Sequence, residues 1–289
     1  MKGSFMKYQI TLPANQPIMT VRDLLEQEWL VPRKVRHFLR VRKHVERNGE
    51  PVKFHEEVHP HDQISLTLEE SDYSFQEIPL GDPDIDVLFE DEHLLIANKP
   101  FGIKTHPNQP GETGTFFNHV QAYLAQKQER GYIVHRLDKE TSGVVLFAKN
   151  PLVLPILGRL LEQKEIHRTY QAIVKGKLTH DQTIRLAIGR DRHDRRKRVV
   201  DPRNGQQAVT HFHVVAATAQ QSMITCILET GRTHQIRVHL HAIGHPIIGD
   251  PLYGKASDRL YLHAKQIELI HPFTKQHLNI ETKNSLFHE

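Results

Sequence analysis

The 289-residue sequence has one cysteine and one tryptophan, and no long apolar run. The lone thiol, Cys226, excludes a disulfide framework and every multi-cysteine zinc motif. No stretch reaches the about 18 consecutive apolar residues that a membrane-spanning helix needs. The opening segment MKGSFMKYQITLPANQ has no apolar signal-peptide core, so a cytoplasmic protein is expected. Phosphate-cradling loops are missing as well. There is no G-x-x-x-x-G-K-[ST], no G-x-G-x-x-G after a strand and no G-x-S-x-G elbow. Hydride transfer, nucleotide-driven phosphoryl transfer and elbow-type serine hydrolysis are thereby disfavoured.

A strong net charge is also lacking, because the total is only +4. That figure hides a segregation. Residues 33–47 hold seven Lys/Arg against one Glu, and residues 190–203 hold seven against three Asp. Between them, residues 69–93 hold ten acids and no Lys or Arg. Two basic clusters point to a polyanionic partner more directly than the total does.

The segment 69–86, with two prolines and no clear apolar period, reads as a linker. It divides the chain into a small unit, residues 1–75, and a larger body, residues 76–289. In the small unit Thr20 is placed to cap a helix beginning Val21-Arg22-Asp23-Leu24-Leu25. Pro32 opens a second helix, with Val35, Phe38, Leu39 and Val41 on one side and basic residues around the rest. Asn48-Gly49 marks a hairpin turn, and Ile64-Leu66-Leu68 alternates as a strand.

In the body, strand-like runs cover Val87–Phe89, Leu94–Ala97, Val144–Ala148, Tyr170–Val174, Val209–Val215, Met223–Leu228 and Ile236–Leu240. Helix-like runs cover Thr115–Gln128 and Leu152–Gln163. The strands cluster without regular strand–helix alternation. The expected class is α+β, with a largely antiparallel mixed sheet and flanking helices.

Three constellations could carry chemistry. The polar run HRLDKETSG at residues 135–143 feeds an apolar strand, and Asp138 lies among His135, Arg136 and Lys139. Cations so near would keep its carboxylate ionised; a lone loop aspartate is more often structural. At residues 229–241, strand alternation would put Gln235, Arg237 and His239 on one side and Ile236, Val238 and Leu240 on the other. His239, His241 and His245 invite a metal reading, but in a chain with 22 His such clusters arise by chance, and no metal is assigned.

Taken in order, these strings resemble the RluA-type pseudouridine synthases over about residues 85–275. The markers are Glu90-Asp91-x-x-Leu94 through Lys99-Pro100-x-Gly102, HRLDKETSG, Lys164–Tyr170, TGRTHQIRVHL at residues 230–240, Gly249–Gly254 and Leu262-His263-Ala264. The helix pair and Arg47-Asn48-Gly49 turn of the small unit resemble an S4-like RNA-binding domain over about residues 17–68. The resemblance implies that uridine in RNA is isomerised to pseudouridine without cofactor or metal. It implies Asp138 as the catalytic aspartate, acting on C1′ or removing the 2′ proton. Arg237 would pair with it, and Tyr170 would stack on uracil. Arg136 would fill the gap left by the extruded nucleotide, and Leu262 would form the apolar pocket wall. Arg33, Lys34, Arg36, Arg40 and Lys43 would contact RNA through the basic helix. Ribosomal RNA of the large subunit is the expected substrate, transfer RNA the alternative, and a monomer the expected state. A non-catalytic RNA-binding protein is the competing reading.

Overall fold

A computed structural model describes residues 4–73, 77–283 and 286. In the body a ten-stranded sheet runs in the order Gln182–Arg185, Val209–Ala217, Gln221–Leu228, His167–Lys175, Leu262–Ile270, Ser142–Ala148, Leu94–Lys99, Asp86–Glu90. Two further strands pair beside this path: His277–Glu281 on Leu262–Ile270, and Tyr132–Ile133 on Ser142–Ala148. Among the described residues only one pair in the sheet is parallel, Ser142–Ala148 with Leu262–Ile270. The expected largely antiparallel α+β body is therefore what forms. The strands Leu262–Ile270 and His277–Glu281, not anticipated from the sequence, complete it.

The parallel junction explains one glycine. Gly143 has φ +115°, and a Cβ there would stand 2.1 Å from the carbonyl oxygen of Ala264. Only a residue without a side chain lets the two strands meet there.

The sheet is covered on both faces, so Ser142–Ala148 is buried along its whole length. Leu94 and Ile96 face one way, Leu95 and Ala97 the other. The first face carries the helix Val153–Glu162. The second carries the helix Phe116–Ala125, whose N-cap Thr115 forms a capping box with Asn118. Cys226 lies on this second face, where burial pushes its thiol up to about 12 and leaves it inert.

One expectation fails here. Residues Gln235–Ala242 form a helix, not a strand. Six alternating residues fit either period, and tertiary partners decide. Gln235 through Leu240 are all buried, so polar positions that alternation would send to one surface need partners all round the helix. Gln235 Nε2 donates to Val209 O and Thr210 Oγ1, at 2.9 and 3.0 Å. The two ring nitrogens of His239 are spent on Thr210 Oγ1 and Leu186 O, both at 2.9 Å. Among the described residues no three His, Cys, Asp or Glu stand together as a metal site.

In the small unit, Thr20 Oγ1 accepts from Asp23 N and caps the first helix as expected. The basic helix spans Arg33–Arg42 after Pro32. Asn48 and Gly49, both at positive φ, turn the chain between Val45–Arg47 and Glu50–Pro51. An unanticipated strand, Phe5–Thr11, pairs along Gln63–Glu69.

The two parts share one apolar core. Trp29, fully buried, meets the Phe273 ring edge-on at 5.1 Å. Arg159 Nη1 donates to Leu30 O at 2.8 Å, and Lys275 pairs with Glu28 at 2.7 Å. Among the described residues no helix is long and apolar enough to cross a membrane.

Candidate active site

Asp138 sits in a turn just before Ser142–Ala148, where its position is fixed from both sides. Leu137 exchanges two hydrogen bonds with the buried Thr105 hydroxyl: Leu137 N donates at 3.1 Å and its carbonyl accepts at 2.7 Å. On the other side, Lys139 O accepts from Gly102 N and from Lys99 Nζ, at 2.9 and 3.2 Å. Lys99 is wholly buried, and desolvation pushes its ammonium down to about 7 against the pull of Asp138 and Glu140. A turn clamped in this way holds the carboxylate at little entropic cost.

Arg237, in the helix Gln235–Ala242, reaches the carboxylate. Its Nη1 lies 3.3 Å from Asp138 Oδ2. Its main partner is Asp250: Nε and Nη2 each donate to that carboxylate at 2.8 Å, in a parallel fork. The Tyr253 ring lies 5.1 Å from the guanidinium carbon. Arg237 is 3% exposed and Asp250 is fully buried. Burial opposes the charge on both, but their pairing wins, raising the arginine and lowering the aspartate. The bidentate partner of Arg237 is thus Asp250, while Asp138 takes the one remaining amino group. Gly249, beside Asp250, has φ +76°, and a Cβ there would stand 1.7 Å from Arg259 O, so only glycine lets these two backbone segments meet.

The sequence neighbours of Asp138 do not supply its cations. His135 is driven down to about 3 by burial, and its Nε2 accepts from Leu146 N. Arg136 is exposed and lies 3.4 Å from His106 Nε2. Lys139 lies near Glu140, at 3.9 Å. The second group actually facing the carboxylate is His234, whose Nε2 is 3.6 Å from Asp138 Oδ2. The Tyr253 hydroxyl accepts from Arg198 N at 2.7 Å and therefore turns its one proton toward His234 Nδ1, at 2.9 Å. That wiring leaves the His234 proton on Nε2, aimed at Asp138. Burial lowers the His234 pKa despite Asp138, so the ring is neutral.

Asp138 opens into a pocket whose walls include Tyr170, Arg168, Leu262 and Arg136. Tyr170 is 5% exposed, and burial raises its hydroxyl pKa. A register shift between Thr169 and Tyr170 against Leu262–Ile270 re-aims this strand at the pocket. Asp138, Tyr170, Arg237, Arg136 and Leu262, far apart in sequence, therefore line one cavity.

Residues 93–242 match the family described as RNA pseudouridylate synthase. The chain belongs to this family. Residues 8–64 match the RluD ribosomal pseudouridine synthase N-terminal domain. The chain is similar to the uncharacterized RNA pseudouridine synthase YhcT of Bacillus subtilis strain 168, at 47% identity over 74% of this chain and 73% of the relative. It is also similar to the ribosomal large subunit pseudouridine synthase D of Nitrosomonas europaea, at 42% identity over 66% of this chain and 59% of the relative. Among solved structures, human RNA pseudouridylate synthase domain containing 4 aligns with TM-score 0.57 and 26% identity, covering 68% of this chain and 88% of that one.

As a pseudouridine synthase the chain is an isomerase acting on RNA. Sequence reasoning missed Asp250, Tyr253 and His234, although all three lie inside the motif strings. One signal was available: an arginine set between apolar residues needs a carboxylate if it is buried, and Asp250 is the first acid after it.

The basic helix lies far along the chain from this pocket. Arg33, Lys34, Arg40 and Lys43 are exposed. Arg36 is committed locally: it pairs with Glu26, and its Nε donates to Val31 O at 3.0 Å.

Proposed function

We propose that this synthase isomerises uridines of large-subunit ribosomal RNA, with Asp138 as its catalytic group. The observation that carries the reading is the Asp138 carboxylate lining one pocket with Tyr170 and Leu262, 3.3 Å from Arg237. The ribosomal target is supported by relatives named ribosomal large subunit pseudouridine synthase D in Nitrosomonas europaea and Neisseria meningitidis, and by the N-terminal match.

The target atoms are unreachable in a stacked helix, so the nucleotide leaves the stack and Arg136 fills the gap. Tyr170 and Leu262 then hold uracil between them. The N1–C1′ bond breaks with its electron pair going to uracil. Positive charge builds at C1′ and is met by the Asp138 carboxylate, which either bonds to C1′ or takes the 2′ proton. Uracil turns and the C5=C6 pair forms the C5–C1′ bond, as the Asp138–C1′ bond breaks or, on the other route, as Asp138 returns its proton to C2′; C5 then loses its proton and N1 gains one. Atoms and charge balance without a redox partner or external group, and no cofactor is assigned.

Arg33, Lys34, Arg40 and Lys43 bind RNA phosphates, with Arg36 shaping the helix that presents them. The enzyme works as a monomer in the cytoplasm, on one RNA at a time.

The test is Asp138→Asn, assayed by carbodiimide mapping of pseudouridine in ribosomal and transfer RNA from cells carrying either form. A ribosomal site lost with the variant supports the reading. Loss confined to transfer RNA redirects the substrate, and wild-type modification by Asp138→Asn rejects the catalytic assignment.

A further inference from the structure

One cation of the pocket has no role in the reaction steps of Asp138, Tyr170 and Arg237. Arg168 stands on the strand His167–Lys175, two residues before Tyr170, and lines the same cavity. Among the described residues no carboxylate pairs with it. Its Nε is buried and meets no hydrogen-bond acceptor. The pocket's own carboxylate, Asp138, is engaged by Arg237. The groups around Arg168 offer no negative charge: burial and the guanidinium itself keep His135 neutral, and burial keeps Tyr170 protonated. Above the guanidinium lies Gly231, where an added Cβ would stand 3.4 Å from Nη2 and 3.7 Å from Nη1. The glycine leaves that face uncovered.

A buried donor without an acceptor is costly, and a pocket cation with no carboxylate partner is free to meet a ligand's acceptor. Arg136 and Arg232 line the same pocket and are exposed. Arg168 is less exposed than either and stands on the strand that carries Tyr170, the ring on which uracil stacks. We propose that Arg168 donates to a ring carbonyl of the extruded uracil and stabilises its anion when N1–C1′ breaks. This rests on the pseudouridine synthase reading of the same pocket. The electron pair released from C1′ spreads over N1 and the ring carbonyls, so the bond to guanidinium strengthens as the reaction proceeds. An interaction that grows toward the transition state raises the rate more than the affinity.

The experiment uses the full chain and a large-subunit ribosomal RNA transcript carrying 5-tritiated uridine, whose tritium leaves when C5 bonds to C1′. Arg168→Gln should fold, bind the transcript within about threefold of wild type and release tritium about 10²- to 10³-fold more slowly at saturation. Arg168→Lys should fall between, because a point charge replaces a planar donor pair. An undiminished rate in Arg168→Gln overturns the proposal, and so does weaker binding at an unchanged saturated rate. If the glutamine variant does not fold, Arg168→Lys is read in its place: a rate reduced about tenfold supports the proposal, and a wild-type rate overturns it. Asp138→Asn runs in parallel. Activity there rejects the underlying reading, whereas an inactive Asp138→Asn beside a fully active Arg168→Gln rejects only the role of Arg168.

Discussion

Arg237 gives two parallel hydrogen bonds to the buried Asp250 and a single longer one to Asp138. The arginine is therefore a rigid bridge. One carboxylate fixes its plane so that its last amino group meets the other.

Asp250→Asn should separate these roles. Breaking a buried ion pair by removing one charge costs about 3–5 kcal/mol, so denaturant unfolding should shift markedly. Arg237→Lys should lose most activity because lysine cannot form the fork to Asp250, even where it folds. Unchanged stability in Asp250→Asn would contradict the bridge.

Trp29 and Phe273 join the small unit to the body, and Trp29 is the only tryptophan. Its fluorescence reports the junction directly. Phe273→Ala should cost about 3–5 kcal/mol and red-shift the emission. The wild-type chain should melt in one transition, because its two parts share a core. Two well-separated calorimetric peaks would refute this. For the same reason, deleting residues 1–70 uncovers apolar surface and is a poor probe of RNA binding.

Point substitutions probe binding better. Changing Arg33, Lys34 and Arg40 together to Gln should reduce the slope of log affinity against log salt by about 0.7–0.9 for each phosphate no longer neutralised. Turnover at saturating RNA should be unaffected. An unaltered slope would remove the basic helix from the RNA interface.

His93 sets an acid limit on stability. It packs 4.6 Å from the Phe273 ring, accepts from Asn150 Nδ2, and is pushed by burial from 6.5 to about 4. Below pH 6.5 the unfolded chain takes up a proton that the folded ring refuses until about pH 4. Stability should therefore fall as pH drops through that window, and His93→Gln should flatten the fall in Tm. An equally steep fall in the variant would assign it elsewhere.

Much of this was legible beforehand, for identifiable reasons. Thr20 caps through a bond to Asp23, and Asn48-Gly49 turns the chain through its own positive φ, so their effect is written locally. The strings around Asp138 and Arg237 named both members of an ion pair spanning 99 residues. Other features had no local signature. The helix at Gln235–Ala242 was read as a strand because alternation over six residues is ambiguous. Of the cations expected around Asp138, its sequence neighbours His135, Arg136 and Lys139 are not the ones that pair with its carboxylate; Arg237 and His234 are.

The sequence by itself determined the family, the α+β class and several of the groups that line the pocket, Asp138, Tyr170 and Arg237 among them, because motif order and hydrophobic period are one-dimensional properties. Only the tertiary structure decided which charge meets which. Pairing depends on distances of about 3 Å between segments far apart in the chain, and burial sets whether His135, His234 and Lys99 carry a proton. It also decided that the +4 chain keeps its basic helix exposed while spending one of its arginines, Arg36, on Glu26. No periodicity records that choice.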